Sequence, residues 1–248
     1  MNSFLIAVQF ISRIPVKKEL DYNDKALAKS MIYYPLIGIL FGGILVLIDY
    51  LASIYFGQLV TSSLLLMAMV LLTGGIHLDG LMDSCDGLLS GRKKDRILEI
   101  MRDSRVGAFG VIGLVTLFLL KFSLLVELPS NHKIAILLFF PTISRWAIVY
   151  AAFNYPYARK SGLGKVYAEN LKFRDLLIVN IWTLLLGVVL FQFRGLIIFL
   201  LVRLMTIIIA KSITKKIDGL TGDNYGAINE IVEVFAILII TLVLRLKL

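Results

Sequence analysis

Seven long apolar runs dominate the chain, at residues 33–54, 59–76, 108–126, 134–153, 176–193, 196–210 and 228–246. Each is close to the ~20 residues that an α-helix needs to cross the hydrocarbon core of a bilayer. A backbone inside lipid must satisfy its own hydrogen bonds, and long continuous apolar runs do so as helices. A soluble domain of 248 residues could not hide so much apolar side chain. The composition is 58% hydrophobic and 17% charged, against about half and a quarter in ordinary soluble domains. The fold class is therefore all-α: a polytopic membrane helical bundle of about seven transmembrane helices. The runs leave no room for a second globular domain, so residues 1–248 read as one integral-membrane domain. A soluble enzyme, a disordered chain and a disulfide scaffold are excluded, and the single cysteine, Cys85, cannot form an internal disulfide. Residues 1–16 are apolar but short and read as an N-terminal interfacial helix closed by Pro15. They lack the basic start and small-residue cleavage site of a signal peptide. Gly38, Gly42 and Gly43 give the first span a flexible face.

The net charge of +9 would raise nucleic acid as a partner in a soluble protein. Here the lipid bilayer explains it better. The polar segments before span one, between spans two and three, four and five, and six and seven hold five, six, five and three Lys or Arg. The alternate segments hold none, one, one and two. The positive-inside rule then puts the N-terminus in the cytoplasm and the C-terminus outside, in a cell (inner) membrane, with no nucleic acid bound.

The acidic residues are few. Asp79, Asp83 and Asp86 stand at i, i+4 and i+7 and share one helical face. Three such carboxylates repel one another. A divalent cation relieves that, and Mg²⁺ prefers one or two carboxylates plus substrate phosphates. A second cluster, Arg102 to Gly110, sets Asp103, Ser104 and Arg105 before a glycine-rich helix start, where a guanidinium and backbone amides suit phosphate. In a third, Gly219 to Glu233, Asp223 and Glu230 share a face and read as functional. Glu233, inside the last span, is open between function and pairing with Arg145 or Arg203, and Arg145 between phosphate clamp and counter-ion. His77 falls off the aspartate face and suits a capping or supporting role. Cys85 reads as a packing residue, Asp49 as interfacial, and the tyrosines and Trp182 as belt or core residues. All three polar clusters fall on the cytoplasmic side. Carboxylates, Mg²⁺ and arginines together suit transfer of a phosphate-linked group.

Several motifs resemble the cobalamin synthase family, the adenosylcobinamide-GDP ribazoletransferases. They are Phe10-Ile-Ser-Arg13-Ile-Pro-Val16, Tyr34-Pro-Leu-Ile-Gly38, the string from Gly74 through His77-Leu-Asp79-Gly-Leu-Met-Asp83-Ser-Cys-Asp86-Gly87, Asp103-Ser104-Arg105-Val-Gly107, and Gly219 to Glu233. Met82 and Cys85 stand where small residues are usual in that family, and Arg102 where lysine is common. The resemblance covers almost the whole chain. It implies a multi-pass transferase of late cobalamin (vitamin B12) assembly. Such an enzyme joins adenosylcobinamide-GDP to α-ribazole, or its 5′-phosphate, with Mg²⁺, and releases GMP. By the same resemblance Asp79, Asp83 and Asp86 hold Mg²⁺ and the diphosphate. Asp83, Asp223 and Glu230 form the catalytic set, in which Asp223 and Glu230 complete the metal site or serve as base. Arg13, His77, Asp103, Ser104, Arg105 and Arg145 serve the substrate and its phosphates. A homo-oligomer is left open. The rivals are weaker: the aspartate pattern of CDP-alcohol phosphotransferases is absent, Asp79-x-x-x-Asp83 only loosely mimics one prenyltransferase motif and the second is unconvincing, and against a transporter the polar clusters gather on one side and no inverted repeats are visible.

Overall fold

The computed structural model describes residues 2–246, and every regular element among them is helical. A short apolar helix α1 (Asn2–Ile11) and a polar helix α2 (Asp24–Ser30) lead through one 3₁₀ turn into α3 (Tyr34–Ser53). Then follow α4 (Gln58–Thr73), α5 (Ile76–Leu88), α6 (Lys94–Ile100), α7 (Ala108–Val126), α8 (Lys133–Asn154), α9 (Leu163–Asn170), α10 (Phe173–Phe191), α11 (Phe193–Ile217) and α12 (Gly222–Arg245). Six helical stretches, ending in or formed by α3, α7, α8, α10, α11 and α12, are long and apolar enough to cross a membrane. The pair α4–α5 makes a seventh candidate, broken by a 90° bend.

That bend breaks off the second apolar run, expected over residues 59–76, at Thr73, before the chain reaches the aspartates. Gly74 and Gly75 both adopt left-handed backbone, at φ 64° and 75°, which a side chain disfavours. A run of hydropathy does not register a change of direction. We read α4 as the crossing. The polar α5 turns away from it and lies outside the apolar spans. Its Leu78 and Leu81 pack with Leu117 of α7 and with Ala227 and Val234 of α12. The last turns of α11 also depart from expectation: the helix runs on past residue 210 and carries Lys211, Lys215 and Lys216 away from the apolar span.

Helix α8 is the hub. Apart from Arg145 it is largely apolar, and 83% of its most apolar stretch is buried, against 22% for α7 and for α10. The latter two therefore present their apolar faces to lipid, with Trp182 among the outward residues. Gly38 and Gly42, one turn apart on α3, are where α8 comes closest. A Cβ on Gly38 would lie 2.5 Å from the Pro141 carbonyl oxygen, and one on Gly42 2.6 Å from Leu138 Cα. The glycine face is thus a rigid contact rather than a flexible one, of the small-residue kind that lets membrane helices approach. Gly43 faces open space. Gly42→Val is expected to force the helices apart and cost about 1–3 kcal/mol. Thermal unfolding in detergent should show a lowered midpoint, with Gly43→Ala unchanged. At the far end, Asp49 pairs with Lys133 at 2.6 Å.

Candidate functional site

The site forms where α5 crosses the start of α12. Gly80 makes the crossing close, since a Cβ there would lie 2.6 Å from the Asp223 carbonyl oxygen. Thr221 and Asn224 cap α12 reciprocally: Asn224 N–H donates to Thr221 Oγ1 at 3.3 Å, and Thr221 N–H to Asn224 Oδ1 at 2.9 Å. The Asn224 amide also donates to Ser84 Oγ on α5 at 2.9 Å, which fixes the register of the two helices. With the leucines of α5 turned inward, Asp79 and Asp83 face the polar side together with Asp223.

A third strand of chain closes the group. Ala158 N–H donates to the Leu220 carbonyl, and Leu220 N–H to the Pro156 carbonyl, both at 2.8 Å. This short parallel bridge carries Arg159 to Asp223, where Nη2 donates to Oδ2 at 2.8 Å. Thr221 Oγ1 donates to the same oxygen at 3.3 Å, and Oδ1 has no partner. The carboxylates of Asp79 and Asp83 make no hydrogen bond or ion pair. Partial burial, with Asp79, Asp223 and Asp86 nearby, outweighs Arg159 and pushes the Asp83 carboxyl up to about 6. The cluster is therefore short of positive charge.

No three His, Cys, Asp or Glu side chains among the described residues stand close enough to chelate one metal ion. The donor chemistry nonetheless suits Mg²⁺. Two unpaired carboxylates offer hard oxygens, and Mg²⁺ typically takes one or two carboxylates and completes its shell from water and substrate phosphates.

Asp86 is occupied otherwise. Its two carboxylate oxygens accept from Gly107 N–H and Gly110 N–H, each at 2.8 Å, and so cap α7. The three aspartates share a helical face as expected, but the nearby α7 start engages the third. Asp86→Ala is expected to cost about 1–2 kcal/mol through the lost cap. Asp86→Asn keeps one acceptor and should cost less, as thermal unfolding in detergent would show. In the next turn Arg105 grips Asp103 with its guanidinium fork, at 2.6 Å from Nη2 to Oδ2, and holds that carboxyl down at about 2. Both residues and Ser104 lie at the surface.

A cavity of about 360 Å³ opens beside the carboxylates. His77, Asp79, Arg159 and Asp223 border it on one side. Phe10, Tyr34, Tyr157, Tyr167 and Tyr225 supply an aromatic lining. A second hollow of about 560 Å³ shares Asp79 and is bordered by Arg13, Gly74 and Gly75. Arg13 lies over Gly74, where a Cβ would stand 1.9 Å from Nε. Its guanidinium makes no ion pair. That leaves the guanidinium free to meet an anion.

A family model described as cobalamin-5-phosphate synthase matches residues 3–241. The chain belongs to that family. Among its relatives, an adenosylcobinamide-GDP ribazoletransferase of Desulfitobacterium hafniense (strain Y51) is 40% identical over 243 residues, covering 96% of each chain. One of the same name from Desulforamulus reducens is 39% identical, covering 97% of this chain and 96% of the relative. Another from Clostridium novyi (strain NT) is 36% identical, covering 96% of each. No solved structure matches the chain.

This cobalamin-5-phosphate synthase family member also buries a four-charge network in its bundle. Lys121 Nζ lies 2.6 Å from Glu230 Oε2 and 2.6 Å from Glu233 Oε2. Glu233 Oε1 pairs with Arg145 Nη1. All four side chains are almost completely buried. The structure thus makes Arg145 the counter-ion of Glu233, with Phe41 beneath it, and sends Arg203 to the Tyr150 ring instead. It also gives Glu230 to Lys121, away from the cavity. His77 lines the cavity with Nδ1 unpartnered. Cys85 packs against Gly113. Sequence reasoning missed Lys121 as a partner, because it hides in an apolar run. It missed Arg159 because that residue sits among loop cations that topology already explains.

Proposed function

We propose that this chain is a membrane ribazoletransferase of late cobalamin biosynthesis. It joins adenosylcobinamide-GDP to α-ribazole or its 5′-phosphate. The observation that carries this reading is the group of unpaired carboxylates, Asp79 and Asp83, set against the Asp223–Arg159 pair at the mouth of a cavity. Carboxylates that stay clustered and unneutralised need a cationic guest, and a metal-bound diphosphate supplies one.

In the reaction, the ribazole hydroxyl oxygen bonds to the phosphorus nearer the cobinamide. The bond from that phosphorus to the oxygen bridging to GMP breaks, and GMP leaves with the bond electrons. One proton is released from the hydroxyl. We assign Mg²⁺ to Asp79 and Asp83, where it would offset diphosphate charge, with Asp86 steadying the α5–α7 contact beside them. Arg159 holds Asp223 by one oxygen, so its free Oδ1 takes the hydroxyl proton. Arg13 and Arg105 are set to hold phosphate oxygens, the first beside Asp79 and the second at the surface turn with Asp103 and Ser104. Glu230, through Lys121, steadies α12 under Asp223.

Four polar segments rich in Lys and Arg alternate along the chain with segments that are poor in them, which supports a cytoplasmic site and N-terminus and an outside C-terminus. The experiment is GMP release by purified protein in lipid, given both substrates with and without Mg²⁺. Metal-dependent GMP together with a cobalamin product is expected. Folded protein that yields neither would overturn the reading.

A further inference from the structure

The aromatic cavity has features that phosphate transfer alone does not require. Five rings from separate parts of the chain converge on it: Phe10, Tyr34, Tyr157, Tyr167 and Tyr225. Phe10 and Tyr167 meet edge to face at 6.0 Å, so their planes frame the space instead of filling it. The volume of about 360 Å³ lies in the range of small-molecule sites. Four residues on its wall carry a buried polar atom with no hydrogen-bond partner: His77 Nδ1, Arg159 Nε, Tyr167 Oη and Tyr225 Oη. Native proteins rarely leave such groups unmet, and a ligand is one of the explanations. Asp79, Asp223 and Arg159 stand at the edge of the same space.

We propose that this cavity holds the planar base of the acceptor nucleoside, and that Tyr225 determines specificity by donating its hydroxyl proton to the base's unprotonated ring nitrogen. The inference rests on the transferase reading above. A flat bicyclic base matches a slot walled by rings. The sugar attached to it would then extend to the polar edge, where Asp223 meets its hydroxyl. A corrinoid macrocycle is too large for the cavity and must lie outside it. The second hollow, with Arg13 and Asp79, suits the nucleotide phosphates better.

The test compares α-ribazole with its analogue carrying CH in place of the free ring nitrogen. Equilibrium binding of each is measured on purified protein in lipid, without adenosylcobinamide-GDP, alongside turnover. Wild type should bind α-ribazole about tenfold more tightly than the analogue, the worth of one buried hydrogen bond. Tyr225→Phe should bind the two alike, with its KM for α-ribazole raised about tenfold and its KM for adenosylcobinamide-GDP unchanged. Tyr167→Leu should weaken both nucleosides. If Tyr225→Phe still discriminates, or shifts the adenosylcobinamide-GDP KM instead, the assignment is wrong. Tyr225-dependent binding without any turnover would uphold the cavity assignment and refute the transferase reading.

Discussion

Asp83→Asn is expected to lower the rate of GMP release by about 10²–10³-fold, the usual scale for removing one preorganised electrostatic contact. The same change should leave the fold as stable as before, or more so. Asp83 has no hydrogen bond or ion pair to lose, and it stands among Asp79, Asp86 and Asp223. Asparagine keeps its shape and removes a repelling charge. A residue kept for stability behaves the opposite way when it is replaced. A site built for a cationic guest is strained when empty, and stability rises when that strain is removed. The measurement is kcat at saturating concentrations of both substrates, with the unfolding midpoint in the same detergent. A further sign is expected in the Mg²⁺ titration, whose half-saturation should move upward. Asp83→Asn that keeps wild-type turnover would remove Asp83 from the metal set.

The architecture was readable in the sequence because lipid imposes one demand everywhere. Each crossing must be long and apolar, and α7 and α8 lie within a residue of the runs that predict them. The site was readable only in part. Asp79 and Asp83 announce themselves as like charges on one helical face, and Asp223 as a carboxylate just ahead of an apolar run. The 90° turn at Gly74–Gly75 does not, because hydropathy carries length but no direction. Helical spacing puts Asp86 on the aspartate face correctly, yet it cannot know that the start of α7 arrives there with two open amides. The aromatic cavity leaves no local trace at all. Tyr34 and Tyr225 are 191 positions apart in the chain, and each alone reads as a core or belt residue. Only the packing of α12 on α5 and α8 makes them neighbours of one space.

Lys121→Met is expected to be the most destabilising of these substitutions, at about 3–5 kcal/mol, the cost of leaving buried charge without its partner. Lys121 bridges Glu230 and Glu233, and Glu233 also holds Arg145. Two cations and two anions leave the group neutral within the apolar bundle. Removing Lys121 leaves two buried carboxylates against one guanidinium. The double change Lys121→Met with Glu230→Gln restores neutrality, with Glu233 still on Arg145, and should recover much of the loss. Unfolding midpoints of both singles and the double in detergent give that coupling directly. The same series separates structure from chemistry at Glu230. If Glu230 serves the network, Glu230→Gln lowers the midpoint while turnover per folded molecule stays near wild type. If instead it takes the substrate proton, turnover falls in both Glu230→Gln and the double, however well neutrality restores the fold. Glu230 lies on α12 two turns beyond Asp223, and the network ties it to α7 and α8, so its integrity sets where the Asp223 carboxylate stands. A stability loss that propagates to the site should raise KM before it lowers kcat, whereas loss of a proton acceptor lowers kcat alone.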